Sequence, residues 1–272
     1  MLSPSRARGP AVAALLSTLV LGSAGCSLLL GISADDYAVA KLDGAVANDR
    51  DGSREGGPEA AAPSLLCHDG APHLLCEDFD TDTSLETRGW PTPLTTGGGK
   101  VVIDSADYRS FPHSVAMSND VANARASLDR SFNGVDPAGD LHFSFAVRVQ
   151  NAKAVIIAII DIGLYSLRFG ITSEGAYNVD EWDNTGGQAE IAHAIAATTS
   201  DAWVNVEMIV HFVQDRQQGS SVAISMDGRS VLNPVAIKPT VDTGTPRIEL
   251  GILDRPGTSN QLRFDNVVFD GP

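Results

Sequence analysis

The chain has 272 residues, 43% of them hydrophobic and 19% charged, which supplies enough apolar material for a sizeable core and excludes a long coiled coil or a mostly disordered protein. Nineteen Lys and Arg stand against 34 Asp and Glu, a formal net charge of −15. So acidic a chain is repelled by phosphate backbones, which removes nucleic acid from the expected partners.

Residues 1–25 read as an export signal. Arg6 and Arg8 precede an apolar run, Ala11–Leu21, that is well short of the about 20 residues a membrane-spanning helix needs. Ser23-Ala24-Gly25-Cys26 follows, and small residues directly before a cysteine resemble a bacterial lipobox, although Ser23 stands where Leu is usual. The resemblance implies acylation of Cys26. The alternative is an uncleaved anchor helix, since Leu28-Leu29-Leu30 prolongs the apolar stretch. One acyl chain holds a protein only marginally, so a stable anchor implies more than one. Ser27, rather than Asp, follows the cysteine, which resembles the outer-membrane sorting choice. The expected location is therefore the outer membrane or cell surface, with the membrane touched through the lipid anchor only. Residues 26–66 read as an acidic tether. They sustain no apolar period, and 27–66 hold three basic and seven acidic side chains.

The folded domain is expected over 67–272. Cys67 and Cys76 form an even pair in an exported chain, which predicts a disulfide. His68 and His73 lie between them, so a Cys/His metal site is the competing reading. From Cys76 onward the apolar pattern has period two. Leu141, Phe143, Phe145, Val147 and Val149 alternate with polar neighbours, and so do Val204, Val206, Met208, Val210 and Phe212. Val222, Ile224 and Met226 run into Asp227-Gly228, a hairpin signal. Ile248, Leu250 and Ile252 alternate again, followed by Leu262, Phe264 and Val268. Val155–Ile160 is apolar throughout, which predicts a strand covered on both faces, and Ala189–Ala197 reads as either a helical turn or a strand. Many strands and turns without a sustained helical period predict an all-β sandwich or barrel in one domain.

Five stretches in order make the expectation more specific. They are Cys76-Glu77-Asp78-Phe79-Asp80 with Trp90, His113-Ser114-Val115-Ala116-Met117, Ala202-Trp203-Val204-Asn205-Val206, Val222–Gly228 and Leu262–Val267. Together they resemble the concanavalin A-like lectin/glucanase superfamily, the laminin-G-like jelly rolls. The resemblance covers about 76–270 and implies an all-β jelly-roll β-sandwich of two antiparallel sheets. It also implies that Trp90 and Trp203 are packing residues.

Hydrolases of this superfamily carry a strand motif Glu-x-Asp-x-x-Glu, in which a period of two sends the first Glu and the Asp to one face. The nearest match is Glu181-Trp182-Asp183-Asn184-Thr185-Gly186, in which Gly186 replaces the last carboxylate. The expectation is therefore no catalysis and no catalytic residues. For sugar binding, an aromatic beside hydrogen-bonding groups is the useful chemistry, and Trp182 with Asp180, Asp183, Asn184 and Tyr177 is the candidate set. The resemblance further implies a structural Ca²⁺ near the last strand, with Asp265 as ligand and Asp78 and Asp80 brought beside it. The competing role for Asp265 is hydrogen bonding to backbone. These readings lead to a lipid-anchored surface protein with a non-catalytic lectin-like module for glycan or a cell-surface protein. The alternatives are a divergent polysaccharide-degrading hydrolase or lyase, and a structural or adhesive envelope protein.

Overall fold

The computed structural model describes Cys67 and residues 72–81, 83–183, 188–199, 201–213, 219–238, 244–253 and 259–272. All of them fall within one unit, Gly56–Pro272. The proposed signal, Cys26 and the tether lie outside the described residues, as do His68 and Asn184.

The strands follow in chain order as β1 (Leu75–Glu77), β2 (Leu94–Thr96), β3 (Lys100–Asp104), β4 (Ser114–Asn119) and β5 (Arg125–Ser131). Next come β6 (Gly139–Asn151), β7 (Val155–Ile162), β8 (Tyr165–Ile171), β9 (Ala176–Asp183) and β10 (Gln188–Ala197). The last five are β11 (Trp203–Phe212), β12 (Ser221–Met226), β13 (Arg229–Ala236), β14 (Pro246–Ile252) and β15 (Asn260–Asp270). They form two antiparallel sheets, a jelly-roll β-sandwich. Sheet A has the order β13-β12-β11-β6-β15-β4-β3, with β1 added beside β15, and sheet B has the order β10-β9-β8-β7-β14-β5-β2. Ala189–Ala197, the segment of uncertain class, is strand.

Period-two alternation builds the core. On β6, Leu141, Phe143, Phe145, Val147 and Val149 point inward and are buried, while His142, Ser144 and Arg148 face outward. Each fully buried aromatic or branched side chain contributes about 1.5–3 kcal/mol of transfer free energy. Phe145 of sheet A meets Phe169 of sheet B edge to face at 6.2 Å, which joins the two layers. Trp90 is 1% exposed and stacks with Phe79, as expected of a packing residue, whereas Trp203 is half-buried. Asp227 and Gly228 both have positive φ, 49° and 72°, the geometry of the tight turn that joins β12 to β13.

Two expectations about strand faces change. Val155–Ile160 does not have two covered faces throughout, because Ile156 and Ile159 are only half-buried and β7 carries a surface feature described below. On β15, a bulge after Asp265 breaks the alternation, with Asn266 at φ 52°. The inward series therefore runs Leu262 and Phe264, then Val267 and Phe269, all at most 1% exposed. Val268 leaves the inward series to pair with Cys76 of β1.

Candidate functional site

The outer face of sheet B holds a cleft of about 470 Å³. Its floor is made by β5, β14, β7, β8 and β9. Leu128, Ile248, Leu250, Ile160, Leu167 and Val179 turn into the core from these strands, each at most 1% exposed. The residues between them must then face the cleft. Strand register lays the outward positions in two rows across the sheet. One row is Ser131, Arg247, Asp161, Ser166 and Trp182; the next is Asp129, Glu249, Ile159, Arg168 and Asp180. Neighbouring strands lie about 4.8 Å apart, so each row of five spans about 19 Å.

The rows are tied together by charge. Arg247 donates to Asp129 at 3.1 Å, to Asp161 at 3.1 Å and to Glu249 at 3.4 Å. Arg125 pairs with the other oxygen of Glu249, which also accepts the Ser127 hydroxyl at 2.7 Å. Glu249 is thus clamped beneath the surface, its side chain 2% exposed. Asp161 remains at the surface of the cleft with its side chain 22% exposed, and accepts the Ser166 hydroxyl at 2.5 Å. Burial, supported by the charge of Glu249, raises the Asp161 pKa above the usual carboxylate range, while Ser166 and Arg247 pull it back. At the β8–β9 side the Arg168 guanidinium lies over the Trp182 ring, 4.2 Å from its centroid.

The sugar-site candidates divide on this geometry. Trp182 lines the cleft, and Asp180 shares its face of β9. Tyr177 does not belong to the surface: it is fully buried and stacks on Phe169 at 5.2 Å, because its place on β9 has the inward parity. Asp183 ends β9, but its side chain, like the whole of Asn184, lies outside the described residues. Glu181 has the opposite parity to Trp182. Its carboxylate accepts the Tyr165 hydroxyl at 3.1 Å and the Lys238 amide at 3.0 Å, away from the cleft. Arg125, Asp161, Arg168, Arg247 and Glu249 escaped the sequence reading altogether. The alternations Arg125-x-Ser127-x-Asp129 and Arg247-x-Glu249 mark outward faces, but only register shows that they converge.

For Asp265 the structure shows the competing role, hydrogen bonding to backbone. Asp265 is fully buried and its oxygens accept four hydrogen bonds: Arg109 N–H at 2.8 Å, Ser110 N–H at 2.8 Å, the Ser110 hydroxyl at 3.0 Å and Asn266 N–H at 2.7 Å. Protein donors occupy the positions a cation would need. Asp78 accepts from the Asp80 amide at 3.1 Å, and β1 meets β15 only at Val267–Phe269, so the three carboxylates do not gather. Among the described residues no three His, Cys, Asp or Glu side chains are placed to hold a metal. Cys67 and Cys76 form the expected disulfide, with Cα atoms 5.4 Å apart.

No protein-family profile and no curated protein matches the sequence. Solved structures do match the fold. An endo-β-1,4-glucuronan lyase from the fungus Trichoderma reesei aligns with TM-score 0.57 at 14% identity, over 74% of this chain and 96% of that one. Alginate lyases from Aplysia kurodai and from a Chlorella virus each align with TM-score 0.55 over 74% of this chain and all of theirs, at 9% and 11% identity. The sandwich is a fold that polysaccharide lyases use. This overturns the expectation of no catalysis. That expectation rested on the missing carboxylate at Gly186, a hydrolase requirement, and the fold is not restricted to hydrolase chemistry.

Proposed function

We propose that this protein is a polysaccharide-degrading enzyme that draws an acidic glycan across the cleft of sheet B and cleaves it by β-elimination. The observation that carries the reading is the pair of cross-strand rows, with Trp182 as an aromatic platform at the β9 end, the Arg168 guanidinium over it, and those of Arg247 and Arg125 further along the same cleft. An aromatic face suits the apolar face of a sugar ring. A planar guanidinium matches a carboxylate in two-point geometry and stabilises the charge that develops when a proton leaves the carbon beside it. The fold supports the same reading, since lyases of glucuronan and alginate share it. Hydrolysis fits less well. It needs two carboxylates facing the scissile bond, and Glu249 is clamped below the floor. In the proposed setting, acylated Cys26 and the 26–66 tether hold the domain at the outer membrane or cell surface, where polymeric substrate is met.

Glucuronan, polymannuronate, polyguluronate and a neutral β-glucan, each incubated with the protein, test the reading through the ultraviolet absorbance of unsaturated products. A polyuronate is expected to yield them and the neutral glucan is not. Arg168→Ala and Trp182→Ala are each expected to lower kcat/KM about tenfold or more, equivalent to about 1.4 kcal/mol of transition-state stabilisation. Reducing ends released without the unsaturated chromophore would replace elimination by hydrolysis. The absence of any product from all polyuronates would remove the enzymatic reading.

A further inference from the structure

We propose that Asp161 is the residue that moves the proton in this cleft, taking it from C5 of the uronate and returning it to the leaving O4. The inference rests on the elimination reading above and names the group that performs it.

The assignment follows from what the cleft contains. Among the described residues that line it, the side chains capable of proton chemistry are three arginines, Ser131, Ser166, Thr245 and Asp161. Arginine stays protonated at any working pH, and an unassisted hydroxyl is too weak a base or acid near neutrality. Trp182 has no basic atom, and no His, Lys or Tyr is present in that lining. Glu249 lies underneath with its oxygens engaged by Arg125, Ser127 and Arg247. Asp129 and Asp180 share this outer face but stand outside the lining, Asp129 bound to Arg247 from β5 and Asp180 bound to Asn178 on β9. Among the described residues Asp161 is therefore the carboxylate in the lining, at the middle of the row Ser131–Arg247–Asp161–Ser166–Trp182.

Its surroundings suit a proton carrier. Ser166 on β8 and Arg247 on β14 hold the two oxygens and fix the rotamer, and the charge of Glu249 approaches from β14. Burial and Glu249 raise its proton affinity, and Ser166 and Arg247 limit the rise. A base of somewhat raised pKa is better matched to a weakly acidic C–H than an ordinary aspartate.

The step balances within the cleft. The Asp161 carboxylate accepts the C5 proton, the C5–H electron pair becomes the C4–C5 double bond, and the C4–O4 bond breaks. O4 then takes the proton from the Asp161 carboxyl, which returns to its starting form, and no water is consumed. A guanidinium neutralises the uronate carboxylate while charge develops.

The test uses the full chain and the polyuronate that the wild type cleaves. Asp161→Asn keeps the size and one acceptor oxygen but removes the base, so the expected result is a fall in kcat of at least about 100-fold with glycan binding, measured by calorimetry, changed less than about threefold. Ser166→Ala provides a second readout. It removes a bond that favours the ionised form, so the acidic limb of the kcat/KM profile should move to higher pH. Either Asp161→Asn with near wild-type kcat or an unmoved acidic limb in Ser166→Ala overturns the assignment while leaving the lyase reading intact. A wild type that cleaves no polyuronate removes the lyase reading, and the assignment with it.

Discussion

Asp265 shows how a buried carboxylate is satisfied by peptide donors. The connection between β3 and β4 passes over the outer face of sheet A, and its Arg109 and Ser110 amides converge on this side chain. Arg148 and Arg263 hold the same connection through Asp107 and Asp104. Asp265→Ala would leave several of those donors without a partner, at a cost of about 1–3 kcal/mol. Urea denaturation should show the loss, and an unchanged midpoint would mean that the connection is held by its other contacts. Burial pushes the Asp265 pKa from 3.8 up to about 7, against the hydrogen bonds from Ser110, Arg109 and Asn266. The folded state then binds this proton more tightly than the unfolded state. The stability linked to it is present below the ordinary value of 3.8 and is lost as pH rises through about 7. Asp265→Asn, which does not titrate, should therefore lose less stability across that window than the wild type. Parallel stability curves would refute the linkage.

At the scale of elements, β1 is a short attachment, three residues long and paired with β15. The Cys67–Cys76 disulfide reinforces it by closing a short loop directly onto that strand. In the chain-entropy account a loop of this length contributes about 2–3 kcal/mol. Replacing both cysteines by serine should lower stability by that order, and the wild type should lose a similar amount on reduction. Melting temperatures unaffected by reductant would show that pairing with β15, packing of Leu75 and the Arg88–Glu77 ion pair hold β1 without the disulfide. On the other sheet, β14 is the element that makes the cleft. It pairs with β5 on one side and β7 on the other, and so carries Arg247 and Glu249 between Asp129 and Asp161.

At the scale of the whole molecule, an acidic chain with a net charge of −15 keeps a concentrated patch of arginine on one face of one sheet. The proposed lipid anchor would keep that face near surface or external polymer. Cys26→Ser should release the protein from the membrane fraction and leave cleavage of soluble polyuronate unchanged. A variant that still sediments with membranes, with unchanged processing of its N terminus, would refute acylation at Cys26.

The all-β class, the principal core strands and the disulfide were legible in the residues, because each is written locally. Alternation on β6 and β11 decides which side chains turn inward, Asp227-Gly228 marks a turn by its backbone freedom, and Cys67 and Cys76, in a sequence read as exported, make an even pair. Trp182 was also within reach as an aromatic among polar neighbours. What local pattern misled was the phase of β15, where one bulge after Asp265 shifts every later side chain, and the status of Tyr177, whose parity sends it into the core. The cleft was not legible at all. Arg125, Asp161, Arg168, Trp182 and Arg247 come from five strands spread over more than a hundred residues, and only antiparallel register makes them neighbours. Period two tells a residue which face it occupies, but the strand order of the sandwich decides which other residues share that face, and the chemistry depends on the second.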